Sequence, residues 1–334
     1  MKKRLLQMTI VVGIVAFAFV LMQGAALAKV TLKLGHIRAE DHPTHKAALY
    51  FKKLVEESSR GNIEIKVYPN SQLGGPKEMF SQLQMGALEM VYGGINTFAW
   101  IKGGEAFEIT AIPFLYKSYE DMKRVLTSDV FKPITEKAEK ETKIKVLNIN
   151  GDTPPRGLTT KDRPVWEAAD FKGLKIRTAA SPTVMGAMKK LGALPQQVPF
   201  SELYMALKTG VVDAQENGSI VVKTNSLYEV QKYYMKTDYI RDIETFYVGM
   251  QTWDKLSDAD KKILYEASEK AGDYETKLSQ EQIESSIDFL TAKMRVIIPN
   301  NQSIQLALEG VFEPMFEGVK WPKGLLQKVR DLQK

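Results

Sequence analysis

The chain has 334 residues, of which 46 are Lys or Arg and 40 are Asp or Glu, so its formal net charge is +6 at pH 7. It contains no cysteine, which excludes disulfides, thiolate metal sites and cysteine nucleophiles. A mature chain of about 300 residues is long enough for a large hydrophobic core and is commonly divided into two lobes. The sequence shows no internal repeat and no low-complexity segment.

The N-terminus has the pattern of a secretory signal peptide. The basic triplet KKR at residues 2–4 precedes an uninterrupted apolar stretch, and Ala-Leu-Ala at residues 26–28 offers a small-x-small cleavage site. The apolar stretch is almost long enough to be a retained membrane anchor, but the cleavage site favours a signal peptide of residues 1–28. Without a cysteine the product is not a lipoprotein, so we expect a free periplasmic protein that starts at Lys29.

Cleavage would remove three basic and no acidic residues, which lowers the net charge from +6 to +3. A chain so nearly balanced gives no electrostatic reason to expect binding to nucleic acid or to an anionic membrane.

The first part of the mature chain alternates predicted strands and helices. Residues 30–37 have the period of two that is typical of a strand, and a helix follows with Asp41 as its cap and Pro43 in its first turn. A second strand is predicted at 63–69, a helix opens at Pro76, and the chain returns to a strand at 88–94. This order indicates a parallel sheet with helices on both faces.

The second part begins with a helical region from residue 111 and a strand at 144–151. Three short strands follow, with helices starting near Ser181 and Phe200, and they predict a second, smaller α/β unit. The short strands lie in RGLTT, KGLKIRT and VVDAQENG. After a further strand in TFYVGM, the sequence predicts a long helix.

That long helix is capped by Ser257. Its apolar positions recur at three- to five-residue steps, and it would reach roughly 45–50 Å, which is enough to cross two lobes. Gly272 within it is a candidate break.

Two arginines of the smaller unit are candidate anion ligands. Arg177 lies where a short strand ends and where Ser181, followed by Pro182, predicts a helix start. Arg156 lies beside the neighbouring strand RGLTT. A guanidinium matches a carboxylate with two parallel hydrogen bonds, and ligands of open α/β sheets bind at the carboxyl ends of strands. The alternative is that each arginine forms an ordinary surface ion pair.

A third candidate is the polar end of the strand in VVDAQENG. Asn217 could donate a hydrogen bond to an oxyanion, and Glu216 could orient an arginine. The alternative is an ordinary turn that caps the next helix.

The three histidines of the chain, His36, His42 and His45, lie within ten residues and suggest a competing function. His42 and His45 share a helix face, so a zinc site is conceivable. The sequence has no HExxH motif, and His36 lies at a strand end. Catalytic signatures such as GxSxG, the Walker A loop and GxGxxG are also missing, so we expect neither an enzyme nor a cofactor.

Several segments resemble the solute-binding proteins of tripartite ATP-independent periplasmic (TRAP) transporters, the DctP family. The resemblance covers nearly the whole mature chain, and KGLKIR, FSELYMAL and VDAQEN are its most specific elements. The segments that carry it are LGHIRAEDHPTHKAALYFKKLVEE, IEIKVYPNSQLGG, EMFSQLQMGALEM, RGLTT, FKGLKIR, LGALPQQVPFSELYMALKTGVVDAQEN and LYEVQKYY.

The resemblance implies an α/β fold of the two-lobed periplasmic binding protein type (type II-like), with a long helix that braces both lobes. We expect residues 29–152 plus 242–281 to form lobe I and residues 153–241 plus 282–334 to form lobe II. The resemblance also implies a receptor, not an enzyme, that delivers its ligand to a small and a large membrane subunit of a TRAP transporter.

For the site, the resemblance implies that Arg177 clamps a ligand carboxylate and that Arg156 is the second arginine of the pocket. It further implies that Asn217 binds the ligand and that Phe200 covers it. The expected ligand is a small organic acid, such as a C4-dicarboxylate or a hydroxy or keto acid, although a sulfonate fits an arginine nearly as well. The sequence also suggests three side-pocket residues, namely Tyr92, His36 and Asp238.

The chain departs from the family pattern at several positions. Gly218 replaces the usual proline after QEN, and the Thr-Pro-Pro before Arg156 is atypical. Asp238 and Tyr239 stand where the family commonly has Asn and His. Gly75 and Gly94 stand where sialic-acid binders place acidic side chains, which argues against a sialic-acid-like ligand.

Overall fold

The computed structural model describes residues 29–334, and the predicted signal peptide lies outside these residues. Within them, no helix is both long enough and apolar enough to cross a membrane. Two sheets contain the strands, which are β1 (Val30–Gly35), β2 (Ile63–Tyr68), β3 (Met90–Gly94), β4 (Ile144–Asp152), β5 (Gly157–Thr160), β6 (Lys175–Thr178), β7 (Leu194–Gln197), β8 (Ala214–Asn217), β9 (Tyr233–Met235), β10 (Ile243–Gly249) and β11 (Arg295–Ile297).

The helices pack around these two sheets. They are α1 (Pro43–Ser58), α2 (Pro76–Met85), α3 (Ile95–Phe98), α4 (Tyr119–Leu126), α5 (Lys132–Thr142), α6 (Pro182–Lys190), α7 (Leu203–Thr209), α8 (Ser219–Thr224), α9 (Met250–Trp253), α10 (Asp258–Thr291), α11 (Asn301–Leu308), α12 (Phe312–Phe316) and α13 (Leu325–Asp331). Short 3₁₀ helices occupy Glu105–Ala111, Ala168–Phe171, Phe200–Glu202 and Leu227–Glu229.

The first lobe is built on the sheet with strand order β2-β1-β3-β10-β4. β1 pairs in parallel with β2 and β3, as the order of strands and helices predicts. β10 lies antiparallel between β3 and β4, although it comes from much later in the chain. Local sequence periodicity did not predict this insertion, because it depends on pairing partners far away in the chain.

The second lobe is built on the sheet with strand order β11-β9-β5-β8-β6-β7. β6 pairs in parallel with β7 and β8, whereas β5 runs antiparallel to β8 and β9. The carboxyl ends of β6 and β8 therefore lie at the same edge of the sheet. This arrangement brings the strand ends that carry Arg177 and Asn217 close together.

Two predicted helix starts differ from the structure. His42, not Asp41, caps α1, because its Nδ1 accepts a hydrogen bond of 3.2 Å from the backbone N–H of Thr44. The helical region predicted from residue 111 begins only at Tyr119, where Ser118 is the cap. Phe114 has a positive φ of 59°, and a left-handed residue interrupts a right-handed helix.

The predicted long helix is α10, and it contains 34 residues. At 1.5 Å per residue it is about 51 Å long. It contacts α1 and β4 in the first lobe and α8 and β11 in the second. The predicted break at Gly272 is wrong. A side chain there would place its Cβ 2.1 Å from Asn150 Oδ1, so the glycine lets the helix approach β4 closely.

The C-terminal helices touch both lobes. α11 packs against α6 and the 3₁₀ helix Ala168–Phe171 in the second lobe. Further on, Arg124 Nε of α4 donates a hydrogen bond of 3.2 Å to the carbonyl of Leu332. The segment 282–334, which we expected to belong to lobe II, therefore also reaches the first lobe.

Candidate ligand-binding cleft

A cavity of about 260 Å³ lies between the two lobes. Its lining includes residues at or just beyond the carboxyl ends of β1, β3, β6 and β8. These strand ends face one crevice from both sides, which is where open α/β sheets bind their ligands. The lining includes Arg38, Tyr92, Arg156, Arg177, Phe200 and Asn217.

Arg177 is a buried cation on the second-lobe side of the cavity. Its side chain is held by β6, and its Nε donates a hydrogen bond of 2.9 Å to the carbonyl of Val198. The guanidinium carbon lies 6.0 Å from the centre of the Phe200 ring. Only 3% of the residue is exposed. Among residues 29–334 its guanidinium has no salt-bridge partner, in contrast to Arg156.

The electrostatic surroundings of Arg177 leave it charged at neutral pH. Burial lowers its pKa to about 10; the Glu216 carboxylate acts in the opposite direction, and the Arg156 cation lowers the pKa further. A pKa of about 10 still lies well above neutrality. The cavity therefore contains a guanidinium whose desolvation is not compensated by a carboxylate in direct contact.

Arg156 already has such a partner. Its Nε lies 2.7 Å from Oε2 of Glu216, whose side chain is fully buried. The same oxygen accepts a hydrogen bond of 2.9 Å from the hydroxyl of Tyr239. Burial acts to lower the pKa of Arg156, but Glu216, together with Tyr239, Asp242 and Glu244, outweighs burial, and the pKa is raised overall. Glu216 therefore orients Arg156, the role that the sequence suggested for it.

Asn217 lies at the end of β8, and its Nδ2 donates a hydrogen bond of 2.6 Å to Gln215 Oε1. An amide nitrogen carries two N–H groups, so one of them stays free for a ligand. Asn217 and the half-buried Phe200 both line the cavity. Five of the seven predicted site residues thus surround one cavity, namely Arg177, Arg156, Asn217, Phe200 and Tyr92.

The other two predicted residues do not line this cavity. His36 is fully buried, and its Nε2 lies 3.0 Å from Nδ1 of His45. Burial, with His45 and Arg38 nearby, lowers its pKa to about 3, so the ring is neutral. Asp238 adopts a positive φ of 46° in the loop after β9. His36 and Asp238 therefore lie outside the lining of this cavity, and their role as side-pocket residues stays a prediction.

Tyr92 faces the cavity only partly. Its hydroxyl hydrogen-bonds to Glu275 of α10 and its ring stacks on Phe246, with 3.8 Å between the ring centres. Because only 1% of the residue is exposed, its main contacts are with the protein itself.

The first-lobe side of the cavity contains polar residues that the sequence analysis did not select as ligands of an organic acid. We call Arg38, His42, Asn96, Asp242 and Glu244 the lobe I wall; all five line the cavity. Arg38 donates from Nε and Nη2 to Glu244 Oε1, at 3.2 and 2.8 Å. Arg38 lies just beyond the end of β1 and Arg177 lies one residue before the end of β6, so the strand-end rule that selected Arg177 would have found Arg38 too.

Asp242 is a wall residue whose pKa is strongly raised. Its Oδ1 accepts hydrogen bonds from the backbone N–H groups of Asn96 and Ile243, at 3.2 and 3.0 Å. Burial, and then the neighbouring Glu244 carboxylate, raise its pKa to about 7, against the opposing effects of Arg156 and Arg38.

The histidines do not form a metal site in the described part of the chain. Residues 29–334 contain no group of three or more His, Cys, Asp or Glu side chains placed to hold a metal ion. His42 uses its Nδ1 as a helix cap, and His36 pairs with His45. The geometry therefore gives no support to the zinc hypothesis.

The sequence model of the bacterial extracellular solute-binding proteins, family 7 (DctP), matches residues 34–318. The chain belongs to the DctP family. This confirms the resemblance found in the sequence, and the proteins of this family are periplasmic.

Curated relatives agree with this assignment. The C4-dicarboxylate-binding periplasmic protein DctP of Rhodobacter capsulatus is 32% identical over 285 residues, which cover 83% of this chain and 82% of the relative. The 2,3-diketo-L-gulonate-binding periplasmic protein YiaO of Escherichia coli is 32% identical and covers the same shares.

Solved structures show the same fold. A TRAP periplasmic solute-binding protein from Haemophilus influenzae with bound L-gulonate has a TM-score of 0.84 and 29% identity, and the match covers 91% of this chain and 100% of that one. A second TRAP periplasmic solute-binding protein, from Polaromonas with bound D-erythronate, has a TM-score of 0.84 and 26% identity. This match covers 91% of this chain and 99% of that one. The predicted two-lobed fold of a DctP-family transport protein is confirmed.

Proposed function

We propose that the protein is the periplasmic receptor of a TRAP transporter and that it captures a small organic acid through Arg177. The observation that carries this proposal is the buried guanidinium of Arg177, which lines the cleft and contacts no carboxylate of residues 29–334. An unpaired buried charge is costly for a protein to keep. A ligand carboxylate at this position would compensate it.

The surrounding groups suit a carboxylate. The Nε of Arg177 is held by Val198, which fixes the guanidinium plane and leaves its terminal nitrogens for the ligand. Two parallel N–H···O bonds from those nitrogens would fix the position and orientation of the carboxylate. Asn217 supplies a further N–H group, and Phe200 shields the guanidinium from water.

The ligands named for related proteins support an acid of this kind. D-Erythronate and L-gulonate, which occupy the two solved structures described above, each carry one carboxylate. The C4-dicarboxylate of the Rhodobacter capsulatus relative carries two. A carboxylate is the group that these ligands share.

Membership of the family supports a further proposal, which is delivery of the ligand to the membrane. We propose that the two lobes close around the ligand and that the closed form docks on a small and a large membrane subunit. In this proposal lobe I is 29–152 plus 242–281, lobe II is 153–241 plus 282–334, and the hinges lie near residues 150 and 240. Preferential binding of the ligand to the closed form would drive the closure.

The test is a thermal-shift screen of the protein spanning residues 29–334, refolded to remove any ligand carried over from expression. The panel contains mono- and dicarboxylates, hydroxy and keto acids, sugar acids, sulfonates and zinc. A ligand with micromolar affinity at millimolar concentration adds about 4 kcal/mol of stability, which moves the melting temperature by several degrees. A shift with carboxylates that is lost in Arg177→Ala supports the proposal. A shift with zinc alone contradicts it.

A further inference from the structure

The lobe I wall contains buried polar atoms that have no hydrogen-bond partner within the described residues. They are Nε2 of His42, both side-chain amide atoms of Asn96, and Oε2 of Glu244. Each of these residues lines the cavity. Most buried polar groups in folded proteins are hydrogen-bonded, because leaving one unpaired is costly. Several unpaired polar atoms at one wall of a ligand cavity indicate that the ligand supplies their hydrogen-bond partners.

The chemistry of these atoms is mixed. Nδ1 of His42 accepts a hydrogen bond from Thr44, so the proton of the neutral ring lies on Nε2, which is a donor. Glu244 Oε2 is an acceptor. Asn96 offers a donor and an acceptor side by side. A hydroxyl group can serve both kinds of partner at once, whereas a carboxylate only accepts and an ammonium group only donates.

The charges of the wall oppose a second ligand carboxylate. The guanidinium of Arg38 is engaged by Glu244 through two N–H groups. Asp242 adds a further carboxyl group and forms no salt bridge within residues 29–334. Apart from the lobe I wall and the two second-lobe arginines, the charged residues that line the cavity are Lys77 and Glu78. Both are exposed, and their charges are of opposite sign. A second carboxylate at the wall would meet acidic side chains and no unpaired buried cation.

We propose that the lobe I wall is a hydroxyl-recognition subsite, and that the ligand is a small monocarboxylate carrying several hydroxyl groups rather than a dicarboxylate. The inference rests on the proposed function, since it takes Arg177 as the carboxylate site. Asn96 and His42 are then the specificity-determining residues, and Arg38 positions Glu244. A cavity of about 260 Å³ suits a small-molecule ligand.

The decisive experiment compares four-carbon acids that share the first carboxylate and differ at the other end. Erythronate and threonate carry hydroxyl groups, succinate carries a second carboxylate, and butyrate carries neither. Their dissociation constants for the refolded protein are measured by calorimetry, and the six-carbon series of gluconate, adipate and hexanoate is measured in parallel. We expect at least one hydroxy acid to bind ten or more times more tightly than the dicarboxylate and the unsubstituted acid of equal length.

Two outcomes overturn the subsite in different ways. If succinate, adipate or an unsubstituted acid binds as tightly as the hydroxy acids, the subsite proposal is wrong while the carboxylate receptor stands. If none of these acids binds, the subsite proposal is overturned, and the wider thermal-shift panel decides separately whether the carboxylate receptor stands.

Variants of the lobe I wall test whether its residues recognise the hydroxyl groups of the ligand. Asn96→Ala keeps the backbone N–H that bonds to Asp242 but removes the amide group, and His42→Asn keeps a capping oxygen but removes the Nε2–H donor. We expect each to weaken hydroxy-acid binding about tenfold and to leave butyrate binding unchanged. His45→Asn, on the same helix but outside the cavity lining, is the control. Equal losses for hydroxy acid and butyrate would contradict recognition of hydroxyl groups by these residues.

Discussion

Arg156 Nε, at the wall of the cleft, lies 2.7 Å from Oε2 of Glu216, whereas Arg177, which lines the same cleft, has no such partner among residues 29–334. One carboxylate therefore compensates two guanidinium groups, one by direct contact and one at longer range, since Glu216 also acts to raise the pKa of Arg177. The protein groups on this side of the cleft carry an excess of positive charge. An anionic ligand would balance it.

The first prediction concerns the stability of the ligand-free protein. Glu216→Gln removes the carboxylate that contacts Arg156 and that also stabilises the charge of Arg177, and breaking a buried ion pair costs about 3–5 kcal/mol. We expect a loss of this size in the free energy of unfolding, measured by urea titration. Glu57→Gln, which removes an exposed partner of Lys53, should change it little. An unchanged midpoint for Glu216→Gln would show that Glu216 does not hold the arginines.

The second prediction concerns the geometry of Arg177. Arg177→Lys keeps the charge but replaces the planar fork with a single ammonium, which cannot make two parallel hydrogen bonds. We expect about 10²-fold weaker binding in the lysine variant and a larger loss in Arg177→Ala. Calorimetry with the best acid of the screen provides the measurement. Arg163→Lys serves as the control, because Arg163 is exposed and bonds to loop carbonyls. Full affinity in Arg177→Lys would mean that charge alone is recognised.

The third prediction concerns pH. Asp242 has a pKa of about 7 in the folded protein and 3.8 as its reference value, so between these values the folded state binds the proton more strongly than the unfolded state. Its neutral form supports folding fully below about pH 4, and this support is lost as the pH rises to about 7. One pKa unit corresponds to about 1.4 kcal/mol.

Asp242→Asn cannot ionise but keeps an oxygen for the two backbone N–H groups. We therefore expect its stability relative to the original protein to increase between pH 4 and pH 7 and then to level off. Melting temperatures at pH 4, 5.5, 7 and 8 test this. Asp152 and Glu275, whose pKa values burial raises to about 6 and about 8, titrate in both proteins. A stability difference that does not vary with pH would rule out Asp242 as the titrating group.

The fourth prediction links two departures from the family pattern. Gly218 lies against the atypical proline pair, and a Cβ on Gly218 would lie 2.9 Å from the carbonyl oxygen of Pro154. The backbone angles of Gly218 suit any residue, so the constraint is steric. We expect Gly218→Ala to destabilise the protein by about 1–3 kcal/mol, with partial recovery when Pro154→Ala frees the loop. An unchanged free energy of unfolding for Gly218→Ala, measured by urea titration, would show that the loop containing Pro154 moves aside without destabilising the protein.

The fifth prediction concerns the contact between α10 and β4. Asn150 Nδ2 donates to the carbonyl of Glu269 and to Asp273 Oδ1, at 2.7 and 2.8 Å, and it fills the space above Gly272. Gly272→Ala should destabilise the protein by about 1–3 kcal/mol through this clash. In an Asn150→Ala background the same change should stabilise the protein by up to about 1 kcal/mol, since alanine favours a helix. A double-mutant cycle by urea unfolding measures this reversal of sign.

The sequence predicted the second-lobe side of the cleft better than the first. Arg177 and Asn217 were found because each lies at the end of a short strand, and Ser181 because it caps the next helix, both of which are local patterns. The lobe I wall depends on contacts across the chain: Arg38 and Glu244 are 206 positions apart. The two side chains come into contact only because β10 inserts between β3 and β4. The local periodicity of the sequence does not predict that insertion.

The position of β10 in the first sheet has a consequence for how the chain folds. β10 is the bridge between β3 and β4, yet all five strands β5 to β9 of the other sheet precede it in sequence. A chain that emerges from its N-terminus first would expose unpaired edges of β3 and β4 until residue 249 is available. Pairing over such separations is slow, and open strand edges favour aggregation. We therefore expect refolding from denaturant to be slow and sensitive to protein concentration, with neither sheet forming from an uninterrupted stretch of chain.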